Sequence, residues 1–268
     1  MTARQPRRFL CFFVLSTLAL SSLSLTAAPM DLRDPARKHR AAQITSSFEN
    51  STTALQYGYV QNITDGRGLT AGRAGFTSGT GDLLLVVERY QQLRPGNRLV
   101  RFLPALRAAN GSASTRGLSG FASVWQAAAR SDPQQRRAQD DIESQLYFQP
   151  AMRYARRHHI VTALGQAALW DTIIQHGDGS DVDGLGRILN ETVTAMTGSV
   201  KGNEHVWMLR FLAIRRAHLM HAADRRTRTA WRESVGRVDA LNALARHDKW
   251  TLSPPLRWTV YGDTFTLR

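Results

Sequence analysis

Hydrophobic residues recur at helical spacing along most of the chain beyond residue 35. Ile44 and Phe48 lie on one face of a predicted helix that ends near Glu49. Asp82 is expected to open a second helix, which the Pro-Gly pair at 95–96 stops. Further helices are predicted at 99–109, 159–176, 183–197, 204–224 and 229–246, and from Asp132 to an interruption at Pro150. The pattern therefore favours a mainly helical fold.

Extended structure is predicted for only a few segments. These are the stretch 55–63, the residues before Gly75 and the C-terminal tail 253–268. Tyr57 and Tyr59 alternate, so we expect one ring in the core and the other in a groove. The sequence thus predicts an α-rich fold with a small sheet beside a cleft.

The N-terminus has the pattern of an export signal. Three arginines precede an apolar run from Phe9 to about Leu25, and the small residues Thr26-Ala27-Ala28 follow. Serines and threonines interrupt the run, which argues against a transmembrane anchor. We therefore expect a signal peptide at 1–28, a catalytic domain at 29–268 with two lobes around one cleft, and a secreted protein, in the medium or the periplasm.

The cysteine content and the net charge narrow the possible functions only slightly. The single cysteine, Cys11, lies in the export signal, so the mature chain is expected to contain no disulfide. The 35 basic and 21 acidic residues give a net charge of +14. Removing the three arginines of the signal leaves 32 basic residues and a charge of +11. The basic residues are scattered and match no nucleic-acid-binding motif, so we expect no nucleic-acid partner.

Two carboxylates stand out in the polar stretch 49–82. Glu49 follows the apolar Phe48, and we expect partial desolvation to favour its protonated form. Asp65 precedes Gly66 in a turn close to Arg67, and we expect that turn to keep it ionised. An acid and a base that face each other across a groove could hydrolyse a glycosidic bond. Many surface loops hold such residues, so the pattern alone does not decide the function.

The same stretch resembles the chitosanases of glycoside hydrolase family 46. The resemblance lies in "SSFENS" at 46–51, in Tyr57 and Tyr59, and in "DGRGLTAGRAGFTSGTGD" at 65–82. It continues in the segments 93–114, 163–179 and 252–265 and covers about 40–268. The segment between Glu49 and Asp65 is shorter than in the family.

The resemblance implies an inverting, endo-acting enzyme that hydrolyses β-1,4 linkages of chitosan. Glu49 would be the acid, Asp65 the base, and Thr70 would help to hold the attacking water. The two carboxyl groups would lie roughly 6.5–9.5 Å apart. The implied fold is lysozyme-like (mainly α, α+β), with two helical lobes joined by a long helix. The implied substrate-binding residues are Asn50, Ser51, Tyr59, Arg67, Thr80, Asp82 and His176.

Some of these residues have simpler interpretations. Asp82 would read the amine of glucosamine, but it could also serve as the N-cap of the helix that follows. Alternatively, His176 could have no role other than to close the C-terminal end of a helix. The family also implies that Asp171, Arg215 and Arg237 form a buried charged network that links the lobes.

Three functions remain open from the sequence. They are a chitosanase, a lysozyme-fold glycosidase that acts on chitin or peptidoglycan, and a non-catalytic secreted polysaccharide-binding protein. No cofactor, metal, membrane insertion or obligate oligomer is expected, and a monomer is the predicted state. Because chitosan is a polycation, we expect acidic residues along the groove and arginines elsewhere, in clusters at 153–159, 215–218 and 224–228 that could associate with anionic surfaces.

Overall fold

The computed structural model describes residues 30–63, 66–196 and 203–268. Eleven α-helices are present in these ranges: α1 Pro35–Asn50, α2 Asp82–Leu93, α3 Leu103–Ala109, α4 Phe121–Ser131, α5 Pro133–Glu143, α6 Gln149–Arg157, α7 Ala163–His176, α8 Leu185–Ala195, α9 Glu204–Met220, α10 Arg228–Glu233 and α11 Gly236–Arg246. Five strands accompany them: β1 Val60–Asn62, β2 Leu69–Ala71, β3 Phe76–Thr77, β4 Leu256–Val260 and β5 Asp263–Leu267. The predicted mainly helical fold is confirmed.

Two hydrophobic cores divide the described chain into two lobes. The larger core, in what we call the major lobe, is built from α1, from α6 to α9, from α11 and from the hairpin of β4 and β5. The smaller core, in the minor lobe, is built from β2, β3 and α2 to α5. Each core buries large aromatic side chains, such as Trp207 in the major lobe and Trp125 in the minor lobe. Burial of this apolar surface is the main stabilising term for each lobe.

One long helical segment joins the lobes. Helix α5 of the minor lobe continues through a π-helix at Ser144–Phe148 into α6 of the major lobe. The helix was expected to be interrupted at Pro150. The chain instead stays helical through Pro150, which lies in the first turn of α6. Proline lacks the N–H that would bond the preceding turn, which accounts for the change in hydrogen bonding just before it.

The structure also corrects two helix predictions and adds one helix. Helix α7 begins at Ala163 and not at 159, because Thr162 caps it by accepting a hydrogen bond from the backbone N–H of Gly165 at 3.1 Å. The predicted helix 229–246 is two helices, α10 and α11. Helix α4 was not predicted.

Both sheets are antiparallel. In the minor lobe, β2 lies between β1 and β3, with Thr70 opposite Gln61 on one side and Thr77 on the other. In the major lobe, β4 and β5 form a hairpin in which Trp258 pairs with Phe265. The small sheet places Thr70 at the edge of the space between the lobes.

The export signal predicted at 1–28 lies outside the described residues and stays a prediction. Within the ranges that are described, none of the helices combines the length and the apolar character that crossing a membrane requires.

Candidate active-site cleft

A cleft with a volume of about 960 Å³ lies between the two lobes. The minor lobe contributes the strand β2 and the loop 72–75, and the major lobe contributes the end of α1, parts of α7 and the segment 224–231. Five of the predicted site residues line it: Glu49, Asn50, Tyr59, Arg67 and Thr70. The fold therefore brings the predicted acid and the predicted water-holding residue to one cavity.

The other predicted residues lie elsewhere. Asp65 falls outside the described residues, so its position relative to Glu49 stays untested. Ser51, Thr80, Asp82 and His176 are described but do not line this cavity. Ser51 caps the C-terminus of α1 in the left-handed region, with φ of 51°. Its conformation ends the helix directly after Glu49 and Asn50.

Glu49 is open to solvent and paired with an arginine. Its side chain is 41% exposed, and its Oε1 accepts a hydrogen bond from Nη2 of Arg237 at 2.6 Å. Phe48 packs into the core, whereas the last turn of α1 turns Glu49 toward the cleft, so the side chain of Glu49 is only partly desolvated.

A chain of charges continues from Glu49 into the protein. Arg237 binds Asp171 through Nη2 at 2.8 Å, and Asp171 also pairs with Nη2 of Arg215 at 2.7 Å. Burial alone would raise the pKa of Asp171, but the charges and hydrogen bonds of Arg237 and Arg215 outweigh it and hold that pKa below its usual range. The predicted network is confirmed, but it does not link the lobes. Its members lie on α7, α9 and α11, which all belong to the major lobe.

Thr70 presents an unsatisfied hydroxyl. Its side chain is buried in the middle of β2, and Oγ1 has no hydrogen-bond partner among the described residues. Because a buried polar atom usually has a partner, an orphan hydroxyl on a cleft wall is suited to hold a water molecule.

Asp82 is the first residue of α2, and the N-cap is Gly81. The Oδ1 atom of Asp82 accepts three hydrogen bonds. The donors are the backbone N–H of Thr77 at 2.6 Å, Oγ1 of Thr80 at 2.7 Å and the backbone N–H of Leu83 at 2.9 Å. The simple N-cap interpretation is therefore wrong. Burial raises the pKa of Asp82, and the hydrogen bond from Thr80 opposes that change.

His176 closes α7 as a buried, neutral residue. Its Nδ1 lies 2.8 Å from the carbonyl oxygen of Asp183, and Trp231 packs edge-on against its ring with 4.7 Å between the centroids. Burial, assisted by the charge of Arg215, lowers the pKa of His176 to about 2. Trp231 lines the cleft and His176 does not, so the structure shows His176 as a support for that wall. Its predicted contact with substrate stays a prediction.

Sequence reasoning missed a charged contact at the base of the cleft. Arg73 pairs with Asp140 at 3.1 Å and with Oε2 of Glu143 at 3.3 Å, and Glu143 accepts a hydrogen bond from Nε1 of Trp170 at 2.6 Å. Burial raises the pKa of Glu143, and the charge of Arg73 opposes that change. Arg73 follows β2 and Trp170 belongs to α7, so this contact joins the two lobes. An arginine within "AGRAG" is the only sequence signal for it.

The expected separation of charges is wrong. Arg73, Arg226 and Arg237 line the cleft, although the arginine cluster at 224–228 was placed elsewhere. The segment that carries Arg226 precedes α10, and the fold brings α10 against the groove. The distance of a residue from the stretch 49–82 along the sequence therefore did not predict its distance from the cleft in space.

Comparison with known proteins gives one consistent family. Residues 43–256 match the sequence profile of glycosyl hydrolase family 46. The chain is 46% identical over 233 residues to a chitosanase of Bacillus subtilis (strain 168), which covers 85% of this chain and 84% of that protein. A crystal structure of a native chitosanase from Bacillus subtilis MY002 superposes with a TM-score of 0.80 at 43% identity, over 88% of this chain and 99% of that one. A complex of a Gynuella sunshinyii chitosanase with chitotetraose superposes with a TM-score of 0.78 at 44% identity, over 87% of this chain and 97% of that one.

Proposed function

The chain belongs to glycosyl hydrolase family 46, and we propose that it is an endo-acting chitosanase that cleaves β-1,4 linkages between glucosamine residues with inversion. The observation that carries this proposal is the interlobe cleft, which brings Glu49 from α1 and Thr70 from β2 to one cavity. One of the relatives that superpose with this chain, the Gynuella sunshinyii chitosanase, is in complex with chitotetraose, which supports an oligosaccharide substrate for this chain.

Glu49 is proposed as the general acid. Arg237 holds Oε1, while Oε2 has no partner within the described part of the chain. When the carboxyl group is protonated, that second oxygen carries the proton on the cleft wall and transfers it to the leaving glycosidic oxygen. The ion pair thus fixes the position of the carboxyl group without occupying both of its oxygens.

Asp65 is proposed as the general base, with Thr70 holding the attacking water. The proposal for Asp65 rests on the sequence resemblance, since this residue lies outside the described ranges. The proposal for Thr70 is supported by its buried, unpartnered hydroxyl. An inverting reaction needs space for one water molecule between base and sugar, and an open cleft provides it.

Asp82 is proposed to select chitosan over N-acetylated polymers. A fixed carboxylate forms a strong charge-assisted hydrogen bond with a protonated amine, whereas an acetamido group gains nothing from that charge. Asp82 does not line the cleft, so this role rests on the sequence resemblance, and the three hydrogen bonds to Oδ1 fix the orientation of the side chain. This argument favours chitosan over chitin or peptidoglycan.

The cellular location is a separate proposal. We propose that the segment 1–28 directs export and is removed, and that the exposed arginines of α6 (Arg153, Arg156 and Arg157) hold the mature protein on anionic surfaces. N-terminal sequencing of protein from the culture medium tests the first part. Retention on anionic vesicles that shows no dependence on ionic strength would contradict the second.

The catalytic proposal is tested by Glu49→Gln on highly deacetylated chitosan. We expect kcat to fall by a factor of roughly 10² to 10⁴, because the amide cannot donate the proton, while the circular dichroism spectrum is unchanged. Glu88→Gln is a matched control, since Glu88 forms an exposed ion pair with Arg107 in the minor lobe. Products of the unaltered enzyme should appear first as α-anomers. An active Glu49→Gln protein would contradict the assignment of Glu49 as the acid, and products that appear first as β-anomers would contradict an inverting mechanism.

A further inference from the structure

The hairpin of β4 and β5 contacts both helices that carry the ion pair of Glu49. Trp258 of β4 donates a hydrogen bond from Nε1 to Oγ of Ser47 at 2.9 Å, and Ser47 lies on α1 two residues before Glu49. At the far end of β4, the turn of the hairpin packs against the start of α11, the helix that carries Arg237. The hairpin therefore lies where it fixes α1 and α11 relative to each other.

Tyr261 occupies a turn position that a tyrosine does not favour. Val260 pairs with Asp263, so Tyr261 and Gly262 form the turn, with φ of 52° and 93°. Two-residue turns with positive φ at both positions prefer Asn-Gly, because a bulky side chain is strained there. Tyr261 is also 46% exposed, so burial of its ring contributes only part of what a core tyrosine contributes. A strained residue that the fold retains points to a role for its side chain.

The ring of Tyr261 covers the first turn of α11. A Cβ atom on Gly236 would lie 3.0 Å from Cδ1 and 3.0 Å from Cε1 of Tyr261, so the ring packs where any other residue would place its side chain. The hydroxyl group donates a hydrogen bond to the carbonyl oxygen of Ser234 at 3.1 Å, in the joint between α10 and α11. Both contacts lie within three residues of Arg237.

The hydroxyl group of Tyr261 is also close to the charges behind the cleft. Burial raises the pKa of Tyr261, the charge of Arg237 opposes that change, and the charges of Asp171 and Glu49 add to it. Tyr261 is not among the described residues that line the cleft. Any effect of Tyr261 on the reaction therefore passes through the residues that it contacts.

We propose that Tyr261 is a positioning residue for the acid. It clamps the first turn of α11 and so fixes the guanidinium of Arg237, which holds Oε1 of Glu49. This inference rests on the proposed chitosanase function, in which Glu49 donates the proton. Without the clamp Arg237 shifts and the carboxyl group turns away from the glycosidic oxygen, and a misplacement of about 1 Å lowers a rate constant by a factor of up to roughly 10². Substrate binding is much less affected, because Tyr261 does not line the cleft.

Tyr261→Asn removes the clamp without straining the turn. Asparagine favours positive φ, which offsets the lost contacts of the ring, so the urea midpoint should stay close to that of the unaltered enzyme. On deacetylated chitosan we expect kcat to fall roughly tenfold with KM nearly unchanged. Tyr261→Phe keeps the ring on Gly236 and should retain kcat within about threefold, since only one hydrogen bond is lost. An unchanged kcat for Tyr261→Asn, or a rise in KM alone, would overturn the inference.

Gly236→Ala displaces the ring without removing it. Alanine is the better helix former, so its effect on α11 alone would not lower activity. We expect kcat to fall as in Tyr261→Asn and to fall no further when the two changes are combined, because the new Cβ atom then meets no ring. Losses that add in the double variant, or a Gly236→Ala enzyme with unchanged kcat, would contradict the clamp.

The Glu49→Gln background shows whether the acid is the group that Tyr261 positions. An amide at position 49 donates no proton, so its exact placement no longer matters. Tyr261→Asn should therefore leave the residual kcat of Glu49→Gln unchanged. A further loss of roughly tenfold would show that Tyr261 acts on another step and would overturn the inference.

His159→Asn is the matched control. His159 has a similar φ of 57° at an exposed site after α6 and does not line the cleft. The same substitution there should leave kcat and KM unchanged, and a loss as large as that of Tyr261→Asn would refute a specific role for Tyr261. The proposed function fails separately, and only if Glu49→Gln itself remains fully active.

Discussion

At the scale of single residues, the position of Glu49 depends on charges buried behind it. Arg237 contacts Glu49 and Asp171, and Asp171 lies between Arg237 and Arg215. Side-chain exposure falls from 41% at Glu49 to 4% at Arg237 and 0% at Arg215. Removing one partner of such a pair leaves the other charge buried and uncompensated. The network therefore holds the side chain of Glu49 in place only as long as each member is present.

Arg215→Met tests the inner end of this network. We expect a loss of roughly 3–5 kcal/mol in the free energy of unfolding, because Asp171 would lose one of its two cations while remaining buried. Urea denaturation measures the change. Arg216→Met is the matched control: the neighbouring Arg216 forms an exposed pair with Asp239, and its loss should cost less than about 1 kcal/mol. Equal losses for the two variants would show that burial of Asp171 does not matter.

The lowered pKa of the buried His176 predicts that the stability of the protein depends on pH. Its pKa is about 2 in the folded protein and about 6.5 in the unfolded chain. Below pH ~6.5 the unfolded chain takes up a proton that the folded protein does not. The contribution of His176 is therefore fully present above pH ~6.5 and is lost as the pH falls toward 2, by at most about 1.4 kcal/mol per pH unit.

The measurement is urea denaturation between pH 7 and pH 4.5. His176→Asn keeps a donor for the carbonyl of Asp183 but does not titrate, so its stability should fall less steeply with decreasing pH. His247→Asn, at an exposed site after α11, is expected to keep the slope of the unaltered protein. The argument fails if all three proteins lose stability with the same slope.

The sequence predicted residues that line one cleft, but it did not predict the partners of these residues. Glu49, Tyr59 and Thr70 were predicted through a resemblance in one continuous stretch, and the structure brings them to one cleft. The ion pair of Glu49 and Arg237 spans 188 positions, and no local pattern encodes it. The exposure of Glu49 likewise depends on tertiary contacts that no local pattern encodes.

At the scale of elements, periodicity predicted most helices and capping set their ends. Helix α1 follows the predicted apolar face and α2 begins at the predicted Asp82. Helix α4 was overlooked, although Phe121, Val124 and Trp125 have helical spacing and are buried. The short strands were located only approximately, since strands of two or three residues carry too few side chains for a clear alternation.

The loop after β2 supports a prediction about the sheet that carries Thr70. Gly72 has φ of 77°, and a Cβ atom there would meet Oε1 of Gln139 and lie 3.0 Å from Trp125. Gln139 also accepts the backbone N–H of Arg73 at 3.0 Å. Gly72→Ala should therefore displace the end of β2, destabilise the protein by more than about 1 kcal/mol and lower kcat.

Gly96→Ala is the control that separates the effect of backbone strain from the effect of contacts made by the new Cβ atom. Gly96 has a similar φ of 72°, but nothing lies within 4 Å of the position of its Cβ. It should cost about 1 kcal/mol through backbone strain alone and leave kcat unchanged. If Gly72→Ala matches Gly96→Ala in stability and in kcat, contacts around Gly72 do not position Thr70.

At the scale of the whole molecule, a helical segment and the polar contacts of Glu143 connect the two lobes. Helices α5 and α6 form one helical segment, and Glu143 at its midpoint bonds Arg73 of the minor lobe and Trp170 of the major lobe. The family resemblance predicted two lobes and a joining helix, and the structure confirms both. Apart from Arg67, the sequence did not predict the arginines that line the groove, because a charge count along the chain carries no information about the surface to which each residue folds.

The net charge leads to a prediction about salt. Without residues 1–28 the protein carries +11, and its substrate is a polycation, so long-range repulsion should slow their association at low ionic strength. The Debye length falls from about 30 Å at 0.01 M to about 8 Å at 0.15 M, which screens the net charge while leaving contacts in the cleft less affected. We expect kcat/KM on long deacetylated chitosan to rise roughly threefold over this range, with kcat unchanged. Replacing Arg153, Arg156 and Arg157 with glutamine lowers the charge by three at an exposed helix outside the cleft and should reduce the rise. A kcat/KM that decreases with salt would show instead that local attraction by carboxylates near the cleft outweighs the charge of the whole protein.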